Sequence, residues 1–167
     1  MRRMIRRRKS YEPGHKPKFL AVVDETPECA TALRFALRRA TRTGAGLTLL
    51  AVVAPPEGET WLGVGDLMQA EALEEAQALL EKAAASLAEL SGLKPELVAR
   101  TGHKAEEISA LIDADEDISI LVLAAGTGRE GPGPLVTALA GRMAGTFAVP
   151  IAIVPGHLSE AEIDALA

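Results

Sequence analysis

A chain of 167 residues is long enough for one core that buries roughly two thirds of its unfolded surface, and it calls for no second domain. Hydrophobic residues at 48% against 25% charged specify a globular body, while an aromatic share of 3% leaves a core of Ala, Val, Leu and Ile and speaks against the stacked aromatic platforms that hold nucleic acid. The net charge of −5 conceals an asymmetry, because Met1–Ser10 holds Arg2, Arg3, Arg6, Arg7, Arg8 and Lys9 without an acid and residues 11–167 carry 12 Lys+Arg against 23 Asp+Glu, a net −11.

The basic segment lacks the apolar stretch of a signal peptide, and residues 1–16 are expected to form a disordered, solvated tail. No apolar run approaches the length of a membrane span, and the single Cys29 cannot form an internal disulfide. The expected setting is therefore the cytoplasm.

Lys18–Val23, apolar almost throughout, predicts a first strand in the middle of a parallel sheet. Asp24-Glu-Thr-Pro27 ends it. Thr26 has the chemistry of an N-cap and Pro27 that of a first helical residue, with Ala30, Leu33, Leu37 and Ala40 at helical spacing behind them. Gly44 suits the left-handed position that ends this helix, and Arg38, Arg39 and Arg42 offset its C-terminal dipole.

Leu47–Val53 is a second strand, closed by Pro55-Pro56. The stretch 54–65, with Gly58, Gly63, Gly65 and the only tryptophan, Trp61, is too loose for a core element and suits a flap over a site. From Asp66 to Leu90 the residues Leu73, Ala76, Leu80, Ala83, Leu87 and Leu90 recur at steps of three and four, the pattern of a long helix with one stripe on a sheet. Gly92 ends it. Pro95–Thr101 alternates like an edge strand, and Lys104–Ala114 predicts a helix with Ile108, Leu111 and Ile112 inward.

Ile118–Leu123 is the fourth strand, and it runs into Ala124-Ala-Gly-Thr-Gly-Arg-Glu-Gly-Pro-Gly-Pro134. There Gly126, Gly128, Gly131 and Gly133 remove bulk and permit positive φ, so that backbone N–H groups can converge on one point at the start of a helix expected over Pro134–Phe147. That geometry suits phosphate, and a Gly/Pro turn without chemistry is the other reading of the same residues. Pro150–Pro155 is a fifth strand, bracketed by prolines as edge strands are, and Ser159–Leu166 predicts a short closing helix with Ser159 and Glu162 as a capping box.

Five alternations of strand and helix argue for an α/β fold, an open five-stranded parallel sheet with helices on both faces over residues 17–156, followed by a tail over 157–167. In such sheets ligands bind beyond the strand C-termini where the strand order reverses. The two loops placed to flank that point are Asp24-Glu25-Thr26 and Gly126–Gly133.

With both loops in view, residues 17–156 resemble the universal stress protein family. The likeness lies in Ala21-Val-Val-Asp24 before a helix starting near Pro27, in Leu49-Leu-Ala-Val-Val53, in Gly102, in Ile120-Leu-Val-Leu123 ahead of a glycine loop, and in Val149-Pro-Ile-Ala-Ile-Val-Pro155. The resemblance implies strand order 3-2-1-4-5, a homodimer paired through Ile151–Val154 and, in one branch, ATP. It implies that Asp24 and Val52 contact the adenine nucleoside and that Gly126, Gly128 and Gly131 belong to the phosphate loop.

The signature of the ATP-binding branch, Gly-x2-Gly-x9-Gly-Ser/Thr, is incomplete. Gly128, Gly131 and Gly141 have the spacing, but Arg142 stands at the hydroxyl position. The resemblance also implies a third glycine about thirteen residues before the proline of the last strand, and measured back from Pro150 that position is Thr137, with Ala138 at the hydroxyl position. This second register leaves Gly141 as a close-packing point inside a helix, and it lets Thr127 and Thr137 supply hydroxyls from displaced positions.

His15, His103 and His157 lie in separate loops with no metal-site spacing, and Glu106-Glu107 and Asp115-Glu116-Asp117 read as solubilising charge. Two functions of different class follow: a nucleotide-binding regulatory or stress protein holding ATP or AMP, with magnesium accompanying ATP, or a dimeric interaction module of the same fold that has lost nucleotide. As an enzyme the chain would manage slow ATP hydrolysis at most, with Asp24 or Glu25 as the nearest bases.

Overall fold

A computed structural model describes residues 7–54 and 64–167. Its elements are β1 (Lys18–Val22), α1 (Cys29–Thr43), β2 (Gly46–Val53), α2 (Val64–Ala88), β3 (Glu96–Thr101), α3 (Lys104–Ala114), β4 (Ile118–Ala125), α4 (Pro134–Val136), β5 (Ile151–Pro155) and α5 (Glu160–Leu166). The strands form one sheet in the order β3-β2-β1-β4-β5, with every neighbouring pair parallel. Trp61 and the rest of the expected flap, apart from Ala54, Val64 and Gly65, lie outside the described residues.

Alternation along the strands sends successive side chains to opposite faces. Phe19, Ala21, Leu47, Leu49 and Ala51 join α1, α2 and α5 in one core, and Leu20, Val22, Leu50, Val52, Leu121 and Leu123 join α3 and α4 in the other. α1 ends as expected, with Gly44 at φ 72° donating its N–H to the Ala40 carbonyl. Along α2 the inward stripe is Ala72, Ala76, Leu80, Ala83 and Leu87, whereas Leu73 is 42% exposed. At about 100° per residue Leu73 sits about 60° round from Ala76, at the margin of the stripe, and Ala72 takes its place.

The helix expected over Pro134–Phe147 is broken. Only α4 is α-helical; Thr137–Arg142 winds as a π-helix and Ala144–Thr146 as a 3-10 turn. A segment with Gly141, Gly145 and two threonines carries little helical propensity of its own, and the wider π winding leaves Gly141 exposed. A side chain there would meet open space, so Gly141 is not the close-packing point expected of it.

The described part of the basic tail is docked, in contrast to the expectation of a solvated tail. Arg8 donates to the carbonyl of Ile112 (2.6 Å), one of those that the end of α3 leaves without a helical partner, and to that of Asp115 (3.0 Å), which also accepts the Ile118 N–H. Lys9 pairs with Glu116 at 3.1 Å and His15 with Asp117 at 2.7 Å. Asp115-Glu116-Asp117, read as solubilising charge, is the counterpart of the basic tail. Burial works to lower the pKa of Lys18, but its bonds to Asp115 and Glu96, both at 2.9 Å, more than offset this and leave it raised.

α5 has the capping box expected of Ser159 and Glu162, with the Glu162 N–H on Ser159 Oγ at 3.2 Å and the Ser159 N–H on the Glu162 carboxylate at 2.7 Å. Its Asp164 takes a bidentate pair from Arg34 (2.8 and 2.7 Å) and a third bond from Arg38 (3.1 Å). Arg38 also reaches the Leu90 carbonyl, and Arg42 reaches the Ala167 carbonyl. These α1 arginines therefore strap α5 down, and Arg42 alone of the three lies in the last turn of α1.

Candidate functional site

β1 delivers Val23 and Asp24 to the C-terminal edge of the sheet, where the Val23 N–H still pairs with the Leu50 carbonyl at 2.8 Å. The chain then turns on the Asp24 carboxylate, which accepts the Thr26 N–H at 2.9 Å and the Thr26 hydroxyl. This short-range capture occupies Thr26, so Thr26 does not cap α1, which begins at Cys29 behind Glu28. Glu25 is exposed at the tip.

Beneath the turn the Asp24 N–H donates to Cys29 Sγ at 3.4 Å, and the thiol donates to the Val22 carbonyl at 3.7 Å. Burial pushes the Cys29 thiol up to about 11, against the opposing pull of the Asp24 N–H. A folded-state pKa above the ordinary value near 9 stabilises the fold below pH 9, and that contribution is lost as pH rises through 11. Wild type should therefore lose about 1–3 kcal/mol more stability than Cys29→Ala between pH 9 and 11, measured by denaturant titration at both pH values.

The glycine loop leaves β4 and closes on itself. The Gly126 N–H donates to the Pro132 carbonyl at 3.0 Å and the Gly131 N–H to the Gly128 carbonyl at 3.2 Å. The N–H groups of residues 127–130 and 133 make no backbone hydrogen bond among the described residues, which leaves them as the donors for an anion. Gly131 (φ 93°) and Gly133 (φ 108°) occupy the left-handed region immediately before Pro134, whereas Gly128 does not.

The two loops meet through residues that the sequence pattern did not single out. A Cβ on Gly126 would stand 3.2 Å from Glu28 Oε1, and one on Gly156 would stand 2.5 Å from the Ala125 carbonyl oxygen, 2.8 Å from Glu28 Cβ and 3.5 Å from Thr127 Cγ2. Gly156, whose N–H pairs with that same carbonyl at 3.0 Å, is thus the hinge at which the end of β5, the end of β4 and the entry to α1 touch. Its position just after the last strand was the available signal. Glu28 was hidden because a glutamate beside Pro27 reads as an ordinary first-turn acid.

Of the expected site residues, Asp24, Glu25 and Thr26 share one turn, and Gly126, Thr127, Gly128 and Gly131 share the facing loop. Val52 is 4% exposed, and its side chain packs in the α3 and α4 core. Thr137 is exposed, but its hydroxyl donates to the Gly133 carbonyl at 2.9 Å, so the proton it would offer a phosphate is already used. Among the described residues no group of three His, Cys, Asp or Glu side chains is arranged to hold a metal ion. A cavity of about 650 Å³ opens on the other side of the Asp24–Thr26 turn, between α1, α2 and α5, and includes none of the glycine loop.

The fold has counterparts among solved structures. The universal stress protein UspA of Lactobacillus plantarum is 21% identical with a TM-score of 0.68, over 83% of this chain and 97% of that one. The universal stress protein of Archaeoglobus fulgidus in complex with dAMP is 19% identical (TM-score 0.51; 83% and 96% covered). A universal stress protein family member of Arabidopsis thaliana with AMP bound is 14% identical (TM-score 0.54; 83% and 91% covered). No curated protein sequence matches the chain. The model of the universal stress protein family matches residues 17–155, from the strand before Asp24 to the last residue of β5, and the chain belongs to that family.

Proposed function

We propose that the chain binds an adenine nucleotide in the crevice between Asp24–Thr26 and the glycine loop, and that it acts as a cytoplasmic regulatory or stress protein through that occupancy. The observation that carries the reading is the position of the loop. It leaves β4 beside β1, where the strand order turns back, with Gly131 and Gly133 in left-handed conformations ahead of a helix start. The dAMP and AMP complexes within the same fold support an adenine nucleotide. Asp24 then serves the nucleoside, and Thr127 with the loop N–H groups serves the phosphate. Any magnesium would arrive on ATP. Titration calorimetry with AMP, ADP and ATP should give a dissociation constant below about 1 mM for at least one of them; binding weaker than about 4 kcal/mol for all three would remove the reading.

Gly128→Val isolates the loop. A side chain at Gly128 meets only the flexible carboxylate of Glu130, so stability should stay within about 0.5 kcal/mol while nucleotide affinity is lost to the added bulk. Unchanged affinity in a folded Gly128→Val would refute the phosphate-loop assignment.

A second reading, a dimeric interaction module, draws on the β5 edge, where Ile153 is 42% exposed. An apolar edge strand invites pairing, and two-fold symmetry closes it. Light scattering should show twice the 17.5 kDa chain mass, reduced toward the monomer by Ile153→Lys; a concentration-independent monomer would contradict it.

A further inference from the structure

Two carboxylates lie against the glycine loop, and we propose that they make it selective for a nucleoside monophosphate over the triphosphate. The inference rests on the nucleotide reading above. Glu28 Oε1 lies 3.2 Å from where a Cβ would sit on Gly126, and Glu130 Oε2 lies 2.5 Å from the same point on Gly128. A carboxylate thus lies against the loop backbone at both Gly126 and Gly128. Among the described residues neither carboxylate takes part in a hydrogen bond or ion pair that would neutralise it.

The local charge balance points the same way. Asp24, Glu25, Glu28 and Glu130 lie on the turn and the glycine loop, against two cations, the exposed Arg129 of the loop and Lys104, whose charge is felt at Cys29 beneath the turn. Arg129 and the N–H groups of residues 127–130 and 133 can satisfy one phosphoryl group. Each further phosphoryl group adds negative charge beside the two carboxylates, and when no magnesium accompanies the nucleotide nothing carried by the ligand offsets that repulsion. Glu28 and Glu130 are therefore specificity-determining residues, acting by repulsion.

The test is calorimetric titration of the full chain with AMP, ADP and ATP in chelator, for wild type, Glu28→Gln/Glu130→Gln and the single Glu130→Gln, with circular dichroism and melting temperature as folding controls. Wild type is expected to bind AMP at least about tenfold more tightly than ATP, and the double variant to bring the two within about threefold by gaining ATP affinity. The exposed Glu130→Gln, which leaves the turn into α1 untouched, should give part of that gain and decides the matter if the double variant does not fold. ATP bound by wild type as tightly as AMP, or variants that keep the wild-type preference, would overturn the selectivity while leaving nucleotide binding standing. No binding of any nucleotide by wild type and variants alike would overturn the nucleotide reading and this inference with it.

Discussion

Replacing Ile163 with alanine is expected to cost about 2–5 kcal/mol, the range for emptying a buried aliphatic site, and to release α5 from the domain. Ile163 is 1% exposed and belongs to the core shared by α1, α2 and the sheet, yet α5 spans only seven residues. A helix that short does not persist on its own propensity, so its anchors decide whether it forms. Ile163 is the apolar anchor, the capping box secures the first turn, and the Arg34 and Arg38 bonds to Asp164 fix the approach to α1. Those bonds, Arg34 first, hold the Asp164 carboxyl well below the usual carboxylate range. Their contribution is present above the ordinary carboxylate pKa near 4 and fades as pH falls below it. Thermal melting of Ile163→Ala and of Asp164→Asn at pH 7 and pH 3 checks both parts. Ile163→Ala should melt lower at either pH, and the gap between Asp164→Asn and wild type should narrow toward pH 3. A melting temperature for Ile163→Ala equal to wild type would contradict the packing described.

Gly156→Ala is the second large effect. A methyl group there would press on the Ala125 carbonyl oxygen at 2.5 Å and on Glu28 Cβ at 2.8 Å, both attached to backbone that cannot rotate away. Overpacking of this kind costs about 1–3 kcal/mol, which for a domain of this size lowers the melting temperature by roughly 2–12 °C. Because the displaced atoms belong to the end of β4 and the turn into α1, nucleotide affinity should fall in the same variant. Gly145→Ala, where a Cβ meets nothing within 4 Å, is the control and should leave both unchanged. A Gly156→Ala protein as stable as the control would show that the three segments do not meet as described.

The sheet was legible in the sequence because its strands are short, almost wholly apolar runs separated by helical periodicity; Phe19–Val22, Leu47–Val52 and Ile118–Leu123 admit few other readings. The ends of elements were less legible, since each is decided by a local competition. Asp24 takes the Thr26 N–H and hydroxyl and moves the start of α1 to Cys29. The glycines and threonines after Val136 permit a π-helix where periodicity alone suggests an α-helix. The docked tail was missed because its partners, Asp115 to Asp117, lie about a hundred residues away along the chain.

At the candidate site the pattern showed which loops face one another, because both follow central strands. It did not show Glu28 or Gly156, whose importance arises only when β4, β5 and the turn into α1 are brought together. The incomplete ATP signature was visible as Arg142 or Ala138, and the structure adds that the Thr137 hydroxyl is committed to Gly133.

The most direct measurement of the central claim is the change in backbone amide shifts of isotope-labelled protein as AMP is added. Nucleotide bound between the two loops should move the resonances of Asp24–Thr26 and of Gly126–Gly133 together, with those of β3 and α5 left in place. Shifts confined to Leu79, Lys82, Ser86 and the other residues lining the cavity between α1, α2 and α5, or no shifts at millimolar AMP, would contradict it.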